Sequence, residues 1–587
     1  MKTKLFLAAM AAVAVIGCQK EPNASVQNAD GNASFMKVDL RAAGTMTKAD
    51  PGTFEYGTEA ENAVSSVTFY FFKDGQKYVV QGTDNYMTGN VDAWTPQGTA
   101  GDKFQGNNTN LTIEDISGLI LVIKQHANPD DLPNQMVAIL NAPAALKASM
   151  TLAELEAKVV TSLKEGENFI MSNSVYVDGN DAHINYTSIS KDNLFKANLE
   201  EGQPGYNTPG TIIGPGDAGY GAASAQGKPV EIYVERVAAK VRVSGITEKG
   251  AAKRLVVKQS ADSDDQLTIT RITRYENGNA VTEEVPVYAK VLGWDVTNTK
   301  NDAYVLKALE KTWVRETNFG FTPWTSADFH RSYWAKSTTT DPVHAYKFVD
   351  LIGKNLANGY QYYFENTAPY NAEGNGVDHP NNNTSANQAS QLLVAVQLLA
   401  LNGETETVLN VARWYDKYYT IEALQAAMVN TINTKLFKKV GEGEDQTITP
   451  IAAGDVVFAQ VADTEKSDRY RVVLSAKKDF PYVDVAGNAM SADAVNAILT
   501  TVDPAQMWFN GYAYYYTTIE HFGTAKGIIR NHLYDIAIQN ISGLGTPVYD
   551  PEGTITPEKP ADLEAYNLSA RINILAWHVV SNNVTLN

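Results

Sequence analysis

Cys18 is the residue whose type and position point most directly to a chemical reaction. It is the only cysteine among 587 residues, and small and aliphatic residues precede it. An apolar stretch at residues 5–16 follows Lys2 and Lys4, which is the pattern of an export signal peptide and is too short to span a bilayer. The sequence therefore predicts a signal peptide over residues 1–17 and a lipid on the Cys18 thiol. The alternative is an ordinary secretory peptide with a chance cysteine.

The other motifs that could carry chemistry fail on their context. Residues 214–219 spell a dinucleotide fingerprint, but glycines and a proline follow where a helix must start. The histidines lack metal-ligand spacing, and residues 262–265 lack the glycine and glutamate of a calcium loop. No Gly-x-Ser-x-Gly nucleophile elbow is present. The sequence predicts no enzyme, no metal and no cofactor, although the carboxylate pair of a glycosidase is purely spatial and stays open.

Composition narrows the class of protein further. The formal net charge of −18 argues against nucleic acid and anionic membranes as partners. The 30 tyrosines favour strands with aromatic faces, and the length favours two or more domains. Because a single cysteine cannot form an internal disulfide, packing and hydrogen bonds must hold the fold together.

Two segments near the ends of the chain alternate like strands with one apolar face. Near the N-terminus, Met36, Val38 and Leu40 alternate with charged residues. A Gly/Thr-rich stretch follows, and it contains Lys48 and Ala49. In the C-terminal segment, the apolar residues Val580, Val584 and Leu586 share one face of the predicted strand, and Asn582 lies on the same face.

Further elements can be assigned between these ends. Strands are predicted at residues 64–72, 230–243, 285–296, 391–399, 470–475 and 528–541. Thr151 and Glu154 form a capping-box signature for a helix to about residue 163, and residues 420–437 have helical spacing. A Gly- and Pro-rich connection covers residues 202–229.

Five segments resemble the fimbrillins of the Bacteroidales. Residues 527–545 contain an Arg-Asn-x-x-Tyr strand. An aromatic strand at residues 511–517 precedes it, and a final strand with Trp577 follows it. Residues 234–243 are similar to the family's Val-Glu-Arg-x-x-Ala-Lys-Val strand, and residues 363–367 are similar to another recurrent segment. The likeness is closest to the minor-fimbrium shaft subunit. Within these segments we expect Arg530 and Asn531 to serve the framework and not a ligand.

The resemblance implies a mainly β fold, with two transthyretin-like, Greek-key β-sandwich domains and a few short helices. It divides the chain into a lipidated propeptide with a removable strand at 18–48, an N-terminal acceptor sandwich at 49–228, a C-terminal sandwich at 229–569 and a final strand with a donor tail at 570–587.

The resemblance also implies a route of assembly. The precursor is held at the outer membrane by its lipid until a trypsin-like protease cuts between Lys48 and Ala49; Arg41 is the alternative cleavage residue. The cut removes the strand with Met36, Val38 and Leu40, and the C-terminal strand of another copy fills the vacated groove.

The implied product is a cell-surface fimbria that contributes to adhesion. Its expected partners are other copies of the chain, accessory anchor and tip subunits, the processing protease, and host proteins or glycans. A tip adhesin and a glycan-binding surface lipoprotein are the alternatives.

Overall fold

The protein is described by a computed structural model. The described residues are 33–42, 57–78, 91–94, 111–112, 119–124, 133–146, 150–177, 183–190, 193–196, 230–248, 251–276, 279–308, 336–340, 346–356, 359–367, 389–462, 470–519, 527–555, 567–575 and 580–581.

The N-terminal part of the chain forms one ten-stranded sheet. Its strands in chain order are β1 Ala33–Ala42, β2 Val67–Lys73, β3 Gln76–Lys77, β4 Val91–Trp94, β5 Leu119–Lys124, β6 Gln135–Leu140, β7 Met171–Asn173, β8 Thr187–Ser188, β9 Leu194–Lys196 and β10 Val230–Arg236. The order across the sheet is β9-β1-β10-β7-β6-β2-β3, and β4 pairs with β2, β5 with β1, and β8 with β6.

Both faces of this sheet are covered by protein. Along β2, Phe69 and Phe71 belong to one buried apolar cluster, and Tyr70 and Phe72 belong to a second. Since successive side chains of a strand point to opposite faces, the two clusters lie on the two sides of the sheet. This explains why the central strands are continuous apolar runs without polar alternation.

Twenty-one strands of the remaining chain form three further sheets. They are β11 Ala238–Ser244, β12 Arg254–Lys258, β13 Thr268–Glu276, β14 Asn279–Pro286, β15 Tyr288–Thr297, β16 Tyr360–Phe364, β17 Gln391–Asn402, β18 Thr405–Val408, β19 Val411–Trp414, β20 Lys417–Thr420, β21 Phe437–Val440, β22 Thr447–Pro450, β23 Val456–Ala462, β24 Tyr470–Ala476, β25 Tyr482–Val483, β26 Ala505–Trp508, β27 Tyr512–Thr518, β28 Leu533–Ser542, β29 Thr546–Pro547, β30 Asn567–Leu575 and β31 Val580–Ser581.

The largest of these sheets folds back on itself as a β-sandwich. Its order is β16-β11-β28-β12-β15-β17-β27-β29, so β11 and β27 stand five strands apart. In a flat sheet that separation is about 24 Å. Nevertheless Val241 of β11 and Tyr515 of β27 share one buried cluster with Trp294. The two ends of the sheet must therefore face each other across a common core.

A second layer is attached to this sandwich. The seven-stranded sheet has the order β14-β13-β20-β19-β26-β24-β23, and β21, β22 and β25 form a three-stranded sheet beside it. The side chains of Leu424 and Leu499, each on a helix, pack with Val472 and Met507 of the seven-stranded sheet in a separate apolar cluster. This layer has its own core, distinct from that of the sandwich.

The helices of the described residues are short. They are α1 Glu59–Asn62, α2 Leu152–Glu156, α3 Phe348–Leu351, α4 Ile421–Asn430 and α5 Ala492–Leu499. The Thr151–Glu154 capping box is present at the start of α2. However, α2 ends seven residues before the predicted limit, because Val159–Val160 pairs as a strand with Ala303–Tyr304. The predicted helix at 420–437 ends at Asn430.

The prediction of a mainly β fold with sandwich architecture and few short helices is confirmed. Four predicted strands are broken. The one at 64–72 crosses from the short strand Ala63–Val64 into β2, and the one at 285–296 crosses from β14 into β15. The one at 230–243 is β10 and β11, which are separated by Val237 and lie in different sheets. The one at 528–541 is interrupted before β28 because Asn531 has a positive φ of 58°, a value that a regular strand does not contain.

Candidate strand-exchange site

The first strand lies inside the N-terminal sheet, flanked along both of its edges. Residues Ala33 to Val38 pair antiparallel with Lys124 to Leu119 of β5. Ser34 to Met36 also pair antiparallel with β9, and Val38 to Ala42 pair in parallel with Val230 to Val234 of β10. The segment with the predicted removable residues Met36, Val38 and Leu40 is therefore an interior strand. Its removal would leave a slot open to pairing by another strand.

The floor of this slot is apolar where its side chains are described. Val230, Ile232 and Val234 of β10 are at most 2 % exposed and belong to the same cluster as Phe69 and Met171. Alternate residues of β10 thus line one face, which is the arrangement that accepts a strand with an apolar side chain at every second position.

One end of the slot is closed by α1. The Arg236 guanidinium at the end of β10 donates from Nε to the Glu61 backbone oxygen (2.8 Å) and also bonds the Asn62 side chain. The Lys240 ammonium donates to Glu61 Oε1 (2.8 Å), and Tyr362 donates to the same carboxylate. We call this end, defined by Glu61, Asn62, Arg236, Lys240 and Tyr362, the closed end.

The charges at the closed end are stabilised by each other. Burial by itself would raise the pKa of Glu61, but the hydrogen bonds from Lys240, Tyr362 and the Thr58 backbone outweigh it, and the pKa lies below its usual value. Burial lowers the pKa of Arg236 to about 10, which leaves the guanidinium charged at neutral pH. The result is a fixed ionic contact between α1 and the junction of the two sheets.

A second buried ionic cluster joins the N-terminal sheet to the sandwich. Lys307 Nζ lies 3.1 Å from Glu235 Oε2, with both side chains fully buried. The Arg530 guanidinium pairs with Glu365 and donates to the backbone oxygens of Tyr304 (2.6 Å) and Val305 (3.1 Å). Burial raises the pKa of Glu235, while Lys307 and Arg530 oppose that change.

Asn531 connects the two clusters through its backbone and its side chain. Its N–H donates to the Ala238 oxygen (2.6 Å), and its Oδ1 accepts from Arg236 Nη1 (3.2 Å). The charged residues of the recurrent sequence segments therefore meet at one junction, which sequence reasoning did not foresee. A signal was available, because charged residues, Glu235, Arg236 and Lys240 among them, interrupt the apolar residues of this strand region.

The C-terminal strand lies at the edge of the sandwich. The last long strand, β30, pairs antiparallel with β28, and β31 folds back on it with Ile574 opposite Val580 and Asn573 opposite Ser581. The other predicted donor residues, Asn582, Val584 and Leu586, lie outside the described residues, as do Cys18, Lys48 and Ala49. The alternative cleavage residue Arg41 lies in β1, opposite Tyr233.

Within the described ranges, no group of three or more His, Cys, Asp or Glu residues could hold a metal ion. No helix among the same residues is long and apolar enough to cross a membrane.

Comparison with known proteins gives one family match. Residues 506–583 match the model of the C-terminal region of fimbrillin, the major fimbrial subunit protein type IV. This segment contains the aromatic strand β27, the Arg530–Asn531 turn, β28 and β30. No curated protein matches the chain.

Three solved structures also match the chain weakly. A Bacteroides eggerthii protein assigned to cell adhesion is 9 % identical, covering 95 % of this chain and 98 % of its own, with a TM-score of 0.29. The tip fimbrial protein Mfa3 of Porphyromonas gingivalis is 9 % identical over 93 % and 100 %, with a TM-score of 0.27. A fimbrial assembly protein of Parabacteroides distasonis is 10 % identical over 77 % and 98 %, with a TM-score of 0.22.

The family match defines the class of this β-rich chain as a subunit of a bacterial fimbria. Within that class, the C-terminal region at residues 506–583 is similar to the fimbrillin family.

Proposed function

We propose that the chain is the shaft subunit of a cell-surface fimbria that polymerises by donor-strand exchange after proteolytic processing. The observation that carries the proposal is the interior position of β1, between β5 on one edge and β9 and β10 on the other. A strand at the start of the chain that completes a sheet built from later residues can leave without breaking the pairing between those later strands.

The length of the connection after β1 supports cleavage at Lys48. Ala42 lies opposite Val234, and the described chain resumes at Gly57, beside Arg236 of the same strand. Fourteen residues join these points and could reach about 50 Å, far more than a two-residue offset along a strand requires. A protease can cut such a connection without unpairing β1, whereas cleavage at Arg41 must open its pairing with β10.

The C-terminal tail suits the role of the incoming strand. Among the described residues, two residue pairs, Ile574–Val580 and Asn573–Ser581, join β31 to its own subunit. In the groove, three apolar side chains would each add about 1.5–3 kcal/mol and each ladder hydrogen bond about 0.5–1.5 kcal/mol. The gross gain is on the order of 10 kcal/mol before the ordering cost.

The remaining parts of the proposal concern the precursor and its setting. Lipidation of Cys18 holds the precursor at the outer membrane until a trypsin-like protease cuts after Lys48, and the finished subunit then contains neither cysteine nor lipid. Anchor and tip subunits complete the fimbria, which contributes to adhesion to host proteins or glycans.

Terminal sequencing of purified fibres tests the processing step. We expect the mature chain to begin at Ala49, and Lys48→Ala should leave a lipidated, unpolymerised precursor while Arg41→Ala polymerises normally. A mature chain that begins at Ala42 would show that the protease cuts after Arg41 instead. Fibres built from uncleaved chains would overturn the proposed exchange.

Deletion of residues 580–587 tests the donor role. The truncated chain should be exported and processed as a monomer, and the matched variant Asn582→Ala, which keeps all three apolar side chains, should still polymerise. Normal fibres from the truncated chain would contradict the mechanism. Specific glycan binding by a chain that never polymerises would favour the surface-lipoprotein alternative.

A further inference from the structure

We infer that the incoming strand of the next copy runs in the same direction as β1, parallel to β10 and antiparallel to β5. Its last residue then lies at the closed end of the groove, and the body of the donating copy lies at the opposite end. This inference rests on the proposed strand exchange and specifies the geometry of the interface between two copies.

The groove has two ends that differ in what surrounds them. The C-terminal end of β1, Ala42, pairs with Val234, two residues before Arg236 at the closed end. The N-terminal end, Ala33, pairs with Lys124 of β5. We call the latter the open end, because it is the end of β1 away from α1 and the junction with the sandwich.

The closed end is occupied by the chain's own sandwich. Strand β10 continues into β11 with only Val237 between them, and β11 pairs with β16 and β28 of the sandwich. Val237, Ala303, Val305 and Phe364 pack in one buried cluster with side chains of the N-terminal sheet. The hydrogen bonds of Arg236 to the Glu61 backbone of α1 and to Asn531 lie at the same junction.

The donating copy must place its own sandwich close to the groove. Its strand β30 ends at Leu575, and four residues separate this from Val580. Four extended residues and their flanking bonds span only about 17 Å. A strand that enters with the opposite direction would therefore bring a second sandwich against the closed end, where α1 and the chain's own sandwich already pack.

Entry in the direction of β1 avoids this conflict. The donating body then lies at the open end, away from α1 and the chain's own sandwich. With Leu586 in the place of Leu40, Asn587 would face Tyr233 of β10 and Ser581 would face Val122 of β5. In the opposite direction, with Val580 in the place of Leu40, Asn587 would face Lys124 and Ser581 would face Glu231.

Cysteine cross-linking in assembled fibres distinguishes the two directions. Cys18 is the only native cysteine and lies in the segment removed by processing, so an engineered pair would be alone in the fibre. The two positions offered to residue 587 lie eight residues apart along β1, about 26 Å, whereas a disulfide requires Cα atoms within about 7 Å. Two pairs test the inferred direction, Asn587→Cys with Tyr233→Cys and Ser581→Cys with Val122→Cys. Two pairs test the opposite direction, Asn587→Cys with Lys124→Cys and Ser581→Cys with Glu231→Cys.

We expect mild oxidation of the first two variants to give covalent ladders on non-reducing gels, and the last two to run as monomers. Ladders from the last two alone would overturn the inferred direction and leave strand exchange intact. Intact fibres with no ladder from any of the four would place the tail outside this groove and overturn the proposed function as well. Because each direction has two independent pairs, the loss of one variant through misfolding leaves a decisive measurement.

Discussion

The buried pair of Arg530 and Glu365 offers a sharp test of the junction between the N-terminal sheet and the sandwich. Both side chains are at most 1 % exposed, and the guanidinium also donates hydrogen bonds to the backbone oxygens of Tyr304 and Val305. The substitution Arg530→Met replaces the guanidinium with an apolar side chain of similar length. The Glu365 carboxylate then stays buried without its cation. Breaking a buried pair in this way costs about 3–5 kcal/mol.

The contacts of Arg530 with backbone carbonyl groups contribute to the cost of the substitution. Two buried carbonyl groups lose a donor, and each such loss costs up to about 1–3 kcal/mol by itself. Because the same substitution causes these losses, they overlap and do not add. We therefore expect a loss of about 4 kcal/mol in the free energy of unfolding, a large part of the roughly 5–15 kcal/mol that stabilises a typical protein.

Urea unfolding followed by tryptophan fluorescence measures this loss, since Trp294 and Trp508 are buried in the sandwich cluster. The matched control is Arg271→Met. Its partner is Glu283, and the two side chains are 46 % and 44 % exposed, so the cost should stay below about 1 kcal/mol.

The double variant Arg530→Met with Glu365→Leu separates lost pairing from lost packing. Removal of both charges should restore about 1–3 kcal/mol relative to Arg530→Met, because no buried carboxylate is then left alone. A cost for Arg530→Met no greater than for Arg271→Met would refute the reasoning. So would a double variant that is less stable than the single one.

Two further predictions concern the backbone and pH. Gly293→Ala should destabilise the sandwich by more than about 3 kcal/mol, because the added Cβ would lie 1.7 Å from the Leu351 backbone oxygen. The control Gly454→Ala, whose added Cβ has no atom within 4 Å, should leave stability unchanged. Thermal unfolding measures both variants, and equal melting temperatures would contradict the argument. The second concerns Glu61, whose pKa is lowered in the fold from 4.5, so its ionic stabilisation is complete above about pH 4.5 and is lost as the pH falls through the lowered value. The stability difference between the wild type and Glu61→Gln should therefore shrink in acid, and a difference that is constant from neutral pH to about pH 3 would contradict this.

Local patterns were sufficient for the elements whose structure depends on near neighbours. The Thr151–Glu154 capping box forms because its bonds join residues three positions apart. The long apolar runs of β6 and β17 are strands because both faces of their sheets are buried. The limits of α2 and α4 could not be read in the same way, because strand pairing and packing decide where those helices end.

The alternation of Met36, Val38 and Leu40 predicted a strand, but not its neighbours. Only the tertiary structure placed β1 in the interior of a sheet, parallel to a strand nearly two hundred residues away. Pairing between distant strands depends on how the whole sheet assembles, and no periodicity in a short segment encodes it.

By itself, the sequence determined the mainly β class, the family resemblance and the apolar alternation at both ends of the chain, because these depend on residue type and spacing. The tertiary structure decided that Glu235, Arg530 and their partners meet in buried clusters, and that the groove around β1 has one closed end and one open end. The physical reason is that a buried charge is stable only beside a partner, and these partners come from segments up to 300 positions apart, which only the folded chain brings together.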